Sequence, residues 1–323
     1  MKKIIFLFVI QYVALQAFSQ QLPQYSQYLR NQFMLNPGAA GIYEFTDVTM
    51  SGRMQWLGFE NAPKTTYASV TAIVSPKPKV RYNPSLHIST GPVRNPEIKT
   101  GYVKHAIGGQ LVADQYGPFR QVQFSGTYAI HLPISKKINM SLGTKVGLST
   151  HTFLPERAQV LNPLTDLTYT NYTINQGNRT NLDIGSGLYV YSKKMFFGVA
   201  IDQLSKDLVS YGPGTADFNT KMHFNMMGAY KITLNEDMTL SPAFLIKYIK
   251  PFPLTAEATL QFEYKEWFWI SASYRYKDAI IGMLGLNISN RFKFGYSYDF
   301  SLSHFSNCSS GGHELILGIM IGR

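Results

Sequence analysis

A chain of 323 residues is long enough for one large domain or two ordinary ones, and its charged fraction of 15% lies well below the usual quarter. Hydrophobic content of 45% is ordinary, 21 Tyr and 21 Phe are many, and the formal net charge is +11. Past the N-terminus no run approaches the roughly 20 apolar residues that a membrane-spanning helix needs, which excludes a helical membrane protein.

Lys2 and Lys3 precede an apolar stretch from Ile4 to Ala17, and Ala17-Phe18-Ser19 sets small residues at its end. This predicts a secretory signal peptide over residues 1–19, cut ahead of Gln20. No Cys follows the apolar run, so no lipid anchor is expected at the mature N-terminus. Without Lys2 and Lys3 the chain has 28 basic and 19 acidic residues, a net +9. A basic excess attracts nucleic acid, acidic lipid headgroups or acidic proteins. Export removes nucleic acid from that set, and with no basic run the charges read as loop and lumen residues. Cys308 is the sole cysteine; it allows no intramolecular disulfide and reads as an inert thiol.

Residues 20–45 read as a periplasmic N-terminal segment. Tyr25, Tyr28, Leu29 and Gln32 fall at helical spacing, and Asn36-Pro37-Gly38 would end such a helix. The expectation is a short helix that caps the periplasmic mouth or meets a periplasmic protein, with Tyr25, Tyr28, Asn36 and Pro37 as candidate contacts.

From residue 46 to 323 the pattern is a transmembrane antiparallel β-barrel, an all-β fold. Apolar and polar residues alternate at period two over 46–56, 64–75, 104–114, 120–131, 137–150, 182–191, 195–203, 220–233, 238–249, 255–264, 267–276, 279–288, 291–301 and 312–321, about fourteen strands. Residues 291–302 are cleanest: Phe292, Phe294, Tyr296, Tyr298, Phe300 and Leu302 share one face, and Arg291, Lys293, Gly295, Ser297, Asp299 and Ser301 the other. An even count returns both ends to the periplasm, as bacterial barrels require. Five of the six periplasmic connections are then short, and the longer loops 151–181, 204–219 and 302–311 face outward. The Pro-rich connection 76–103 is the exception; it is either a periplasmic insertion or a hidden strand pair that makes sixteen. Trp56, Trp267, Tyr230, Tyr248, Tyr264 and Tyr276 stand near strand ends, where aromatic girdles meet lipid headgroups.

Two residue sets lie where function is expected. In the loops, Tyr169, Tyr172, Asn175 and Tyr211 offer aromatic area and adaptable hydrogen bonds to a protein partner. On inward faces of the last five strands, Glu257, Glu263, Arg275, Arg291, Lys293, Asp299 and Glu314 can pair and fill the bore, or select solutes. The seven histidines are dispersed, with no zinc spacing. No catalytic, metal or cofactor site is expected.

Gln24-Tyr25-Ser26-Gln27-Tyr28, then Leu35-Asn36-Pro37-Gly38-Ala39-Ala40-Gly41, Arg53-Met54-Gln55-Trp56-Leu57-Gly58-Phe59 and Asp114-Gln115-Tyr116-Gly117-Pro118-Phe119 resemble signatures of the PorP/SprF family. Phe268-Trp269, Tyr274-Arg275, Asp278-Ala279-Ile280, Phe294-Gly295-Tyr296-Ser297-Tyr298-Asp299, Ser309-Ser310-Gly311 and His313-Glu314 extend the match in order to the chain's end. The family comprises outer-membrane proteins of type IX secretion and gliding in Bacteroidota. Insertion 76–103 and the basic final residue Arg323, where outer-membrane barrels commonly end in an aromatic, depart from its pattern. The resemblance implies an outer-membrane, non-enzymatic protein whose partners are lipid, secretion-system proteins and cargo with C-terminal sorting domains. A porin or solute channel is the alternative reading.

Overall fold

Alternation sustained over segments this long commits the chain to strands whose two faces meet different surroundings. The computed structural model describes residues 24–74, 98–163, 165–174, 178–205, 210–211, 221–250, 252–288, 291–302 and 310–322. In them fourteen long strands form one antiparallel sheet. The first seven are β1 (Thr46–Met54), β2 (Lys64–Ile73), β3 (Lys104–Tyr116), β4 (Phe119–Ser135), β5 (Ile138–Phe153), β6 (Asn178–Tyr191) and β7 (Met195–Asp202). The second seven are β8 (His223–Tyr230), β9 (Met238–Ile249), β10 (Thr255–Tyr264), β11 (Phe268–Arg275), β12 (Ala279–Ile288), β13 (Phe292–Ser301) and β14 (Gly312–Ile321). Each pairs with the next, and β14 returns to β1 from Thr46↔Ile321 to Met54↔His313. The wall is closed, so no unpaired edge faces lipid.

The fourteen expected segments and the observed strands coincide to within a few residues. β2 and β3 pair directly from Lys64↔Gln115 to Ile73↔Ala106. That pairing leaves no place in the wall for a hidden strand pair, so the sixteen-strand alternative falls; residues 75–97 themselves lie outside the described set. β3 to β6 rise above their neighbours at one end, because β6 meets β7 only from Ser186↔Ile201 onward.

One end of the barrel, the turn end, holds the connections after β2, β4, β6, β8, β10 and β12 together with the starts of β1 and the finish of β14. The other, the loop end, holds the seven remaining connections. Short turns face the periplasm in bacterial barrels. Outward positions are apolar and exposed, as at Phe124, Leu284 and Phe300, while inward Ser125, Ser297 and Glu314 are fully buried. Exposed Trp267 and Tyr230 stand at the turn end and Tyr248 and Tyr276 at the loop end, forming two girdles.

What buries the inward face is residues 24–45. No helix caps the mouth there. The segment makes three separate 3-10 turns, Tyr28–Arg30, Gln32–Met34 and Pro37–Ala39, and lies inside the bore as a plug. It runs from the loop end, where Ser26 meets Glu314, to the turn end, where Glu44 meets Lys104. A continuous helix is unnecessary because the polar wall satisfies the plug's backbone. Gln110 donates to the Phe33 carbonyl (2.7 Å), Asn225 to that of Leu35 (3.4 Å) and Lys293 to that of Arg30 (3.4 Å).

Candidate functional site

The plug is seated by glycines on the wall's inner face. Gly143 of β5 and Gly187 of β6 are cross-strand partners, and together they make a shallow seat for the turn Asn36-Pro37-Gly38. A Cβ on Gly187 would fall 2.1 Å from Asn36 Oδ1, and one on Gly108 would fall 2.5 Å from the Phe33 ring. Asn36 holds the turn by both ends of its amide. Its Oδ1 accepts from the Gly38 N–H (2.8 Å), and its Nδ2 donates to the carbonyls of Leu188 and Val199 (both 3.1 Å). Tyr25, Tyr28, Asn36 and Pro37 are therefore buried in the lumen, and they offer no surface to a periplasmic protein. Tyr28 donates its hydroxyl to Thr259 (3.1 Å), and Tyr25 packs edge-on against Tyr67 (5.2 Å).

At the loop end the plug is tied by charge. Arg53 of β1 bridges Asp299 (2.6 Å) and Glu314 (3.1 Å), while Arg275 meets Glu257 (2.9 Å) and Asp299 (3.3 Å). Ser26 sits at the centre. Its N–H donates to Glu314 (2.8 Å), its hydroxyl lies 3.0 Å from both Asp299 oxygens, and Arg53 donates to that hydroxyl (2.6 Å). Buried ions cost several kcal/mol each in desolvation unless paired and hydrogen-bonded, and here each carboxylate faces a guanidinium.

Glu257, Arg275, Asp299 and Glu314 thus meet in one cluster or beside it. Glu263 and Lys293 lie inward near the turn end, in a second group with Arg30, Lys231 and Asp47. Arg291 does not join them. It sits exposed in the turn ahead of β13, where the alternation that placed it inward has ended. Sequence reasoning missed Arg53 and the ionic group of Lys145 with Asp202 (2.7 Å) and Asp183 (3.6 Å). Arg53 alternates with Thr49 and Ser51 on the polar face of β1, so the same two-residue rhythm, carried past the last five strands, would have found it. At the turn-end rim Lys104 meets Glu44 (3.0 Å), and the Tyr102 hydroxyl donates to that carboxylate. Partial burial and the neighbouring Glu44 charge hold the Tyr102 phenol above its ordinary range, so it stays a donor.

Two of the loop candidates, Tyr169 and Tyr172, pack against the wall. Helix α1 (Leu167–Ile174) starts on Asp166, whose side chain accepts from the Tyr169 N–H (2.9 Å). Tyr172 packs on Phe153 (5.1 Å) and Phe119 (6.0 Å), and Tyr169 on Phe153 (6.3 Å). Both are half-buried against the raised side of the wall. Tyr211 lies in a two-residue strand that pairs with β6 through Thr180; Asn175 lies outside the described residues. Among the described residues no group of His, Cys, Asp or Glu could hold a metal ion.

Among the described residues, voids remain beside the plug, two of which stand at its ends. One of about 30 Å³ lies under the loop end, between Gln24, Arg53, Trp56 and Asp278, room for a water or two. The other, about 320 Å³, opens at the turn end between the plug residues Arg30 and Tyr43 and the wall at Tyr189, Phe196 and Lys231.

Residues 17–319 match the family described as type IX secretion system membrane protein PorP/SprF. Among curated proteins none matches. Similar solved structures include the CymD monoaromatic hydrocarbon channel (10% identity, TM-score 0.47, 89% of this chain and 91% of that one). The P. putida toluene transporter TodX is similar at 8% identity and TM-score 0.46 (88% and 92%). Acinetobacter baumannii outer membrane protein Omp33 is similar at 9% and 0.43 (87% and 99%). The closed wall, its greasy exterior and a family match over nearly the whole length agree: this outer-membrane barrel belongs to the PorP/SprF family of type IX secretion system membrane proteins.

Proposed function

We propose that the barrel is a non-enzymatic component of type IX secretion or gliding, supporting export or surface attachment of cargo proteins through protein–protein contacts. Its partners are secretion-system proteins and cargo with C-terminal sorting domains. The observation that carries this reading is the filled bore. A plug seated on wall glycines and tied into a buried ionic cluster suits a protein that presents surfaces at both mouths. It suits poorly one that passes solute, since the buried residues of the plug occupy the lumen. The raised wall with α1 and its Tyr169–Tyr172–Phe153 packing provides a rigid platform for a partner on the outside.

Deleting the gene and profiling the culture medium and cell surface tests the proposal. Loss of a set of exported or surface-held proteins, with solute uptake unchanged, is the expected result. Unchanged export with lost uptake of a solute would transfer the barrel to the channel class.

A further inference from the structure

The basic residues, scattered along the sequence, are not scattered in space. Among the described residues the six turn-end connections carry eight Lys or Arg against three Asp or Glu. The described residues of the seven loop-end connections carry four against four, and the strands with the plug ten against nine. Most of the net positive charge of the described residues therefore belongs to the turn end, and that end has the 320 Å³ recess.

The recess of about 320 Å³ is lined by the partly exposed rings of Tyr43 and Phe196, the latter backed by buried Tyr189, and rimmed by Lys193, Lys194 and Lys231. Two carboxylates also line it, Glu263 and Glu266. Glu263 is already opposed by Arg30 (3.8 Å) and Lys231 (3.7 Å). Among the described residues neither Lys193 nor Lys194 has an acidic partner within 4 Å. These two lysines stand on the β6–β7 turn at the mouth of the bore, where they line a recess inside the wall.

We propose that this turn-end recess receives an acidic segment of a periplasmic protein, its carboxylates on Lys193 and Lys194 and an apolar side chain against Tyr43 and Phe196. A one-signed field over a concave mouth steers such a partner and sets its orientation. The inference rests on the secretion reading only in taking the occupant to be a protein. Gene deletion tests that reading without peptide binding, and peptide binding can fail while the export result stands.

The probe is a fluorescein-labelled hexapeptide of four glutamates around a Phe and a Leu, titrated against the full barrel in neutral detergent by fluorescence polarisation. The expected result is salt-sensitive binding that weakens at least tenfold in Lys193→Glu/Lys194→Glu. It should weaken less than threefold in Lys136→Glu/Lys137→Glu, an exposed pair on the same end outside the recess. Loss of the heat-dependent shift on SDS gels would expose a misfolded variant, and Lys193→Gln/Lys194→Gln then serves in its place. Equal weakening by both pairs would overturn the proposal, leaving only a diffuse basic face. So would absence of binding, or equal binding of the lysine counterpart peptide. Displacement of the peptide by phosphatidylglycerol vesicles and not phosphatidylcholine vesicles would assign the recess to lipid headgroups instead.

Discussion

Gly143 of the wall lies so close to Pro37 of the plug that a methyl group on Gly143 would sit 2.3 Å from the Pro37 carbonyl. The contact is backbone on backbone, so neither side can yield by turning a side chain. Inserting bulk into such a close-packed contact costs about 1–3 kcal/mol. Gly143→Val should therefore unseat the Asn36-Pro37-Gly38 turn while the wall, whose hydrogen bonds do not involve that side chain, still closes. Liposome swelling checks this: wild type should conduct small sugars poorly, and the variant several-fold better.

The plug's direction makes a second prediction. Gln24 lines the void under the loop end beside Trp56 and Asp278, and Glu44 reaches Lys104 at the opposite rim. An epitope placed directly ahead of Gln24 should thus be stained by antibody on intact cells. The expectation for a periplasmic segment was the reverse, staining only after the outer membrane is opened. Flow cytometry with and without permeabilisation decides between them.

How much of this was legible in sequence differs between wall and plug. A strand announces itself locally, since Phe292 to Phe300 alternate against Lys293 to Asp299 whatever the rest of the chain does. The plug has no such local signature. Tyr25, Tyr28 and Gln32 share helical spacing, yet Tyr28 and Gln32 are held by partners 231 and 157 residues away, Thr259 and Tyr189. The seat itself needs register: Gly143 and Gly187 are unremarkable until the β5–β6 pairing puts them side by side. Glycine on the otherwise polar, inward face of a strand was the one available hint.

The cluster at the loop end should be asymmetric to mutation. Removing Arg53 leaves Asp299 with Arg275 alone and Glu314 with no guanidinium within reach. Breaking a buried pair by deleting one partner costs about 3–5 kcal/mol. Arg53→Met is expected to lower the temperature at which the folded band is lost on SDS gels, and to loosen Ser26 with it. Lys265→Ala removes a pair to Asp237 (3.7 Å) whose members are both half-exposed. It should leave that temperature unchanged.

The outward face gives the last test, because it separates a membrane wall from a soluble one. Leu284 lies at the middle of β12, 44% exposed, with its neighbours Met283 and Gly285 turned inward. In water an arginine at so exposed a position would be close to neutral. At the bilayer midplane it costs about 2–4 kcal/mol. Leu284→Arg should therefore refold from urea into detergent micelles nearly as well as wild type, where the guanidinium reaches water. Into bilayers its unfolding midpoint should fall markedly. Equal midpoints in bilayers would mean that this face does not meet lipid.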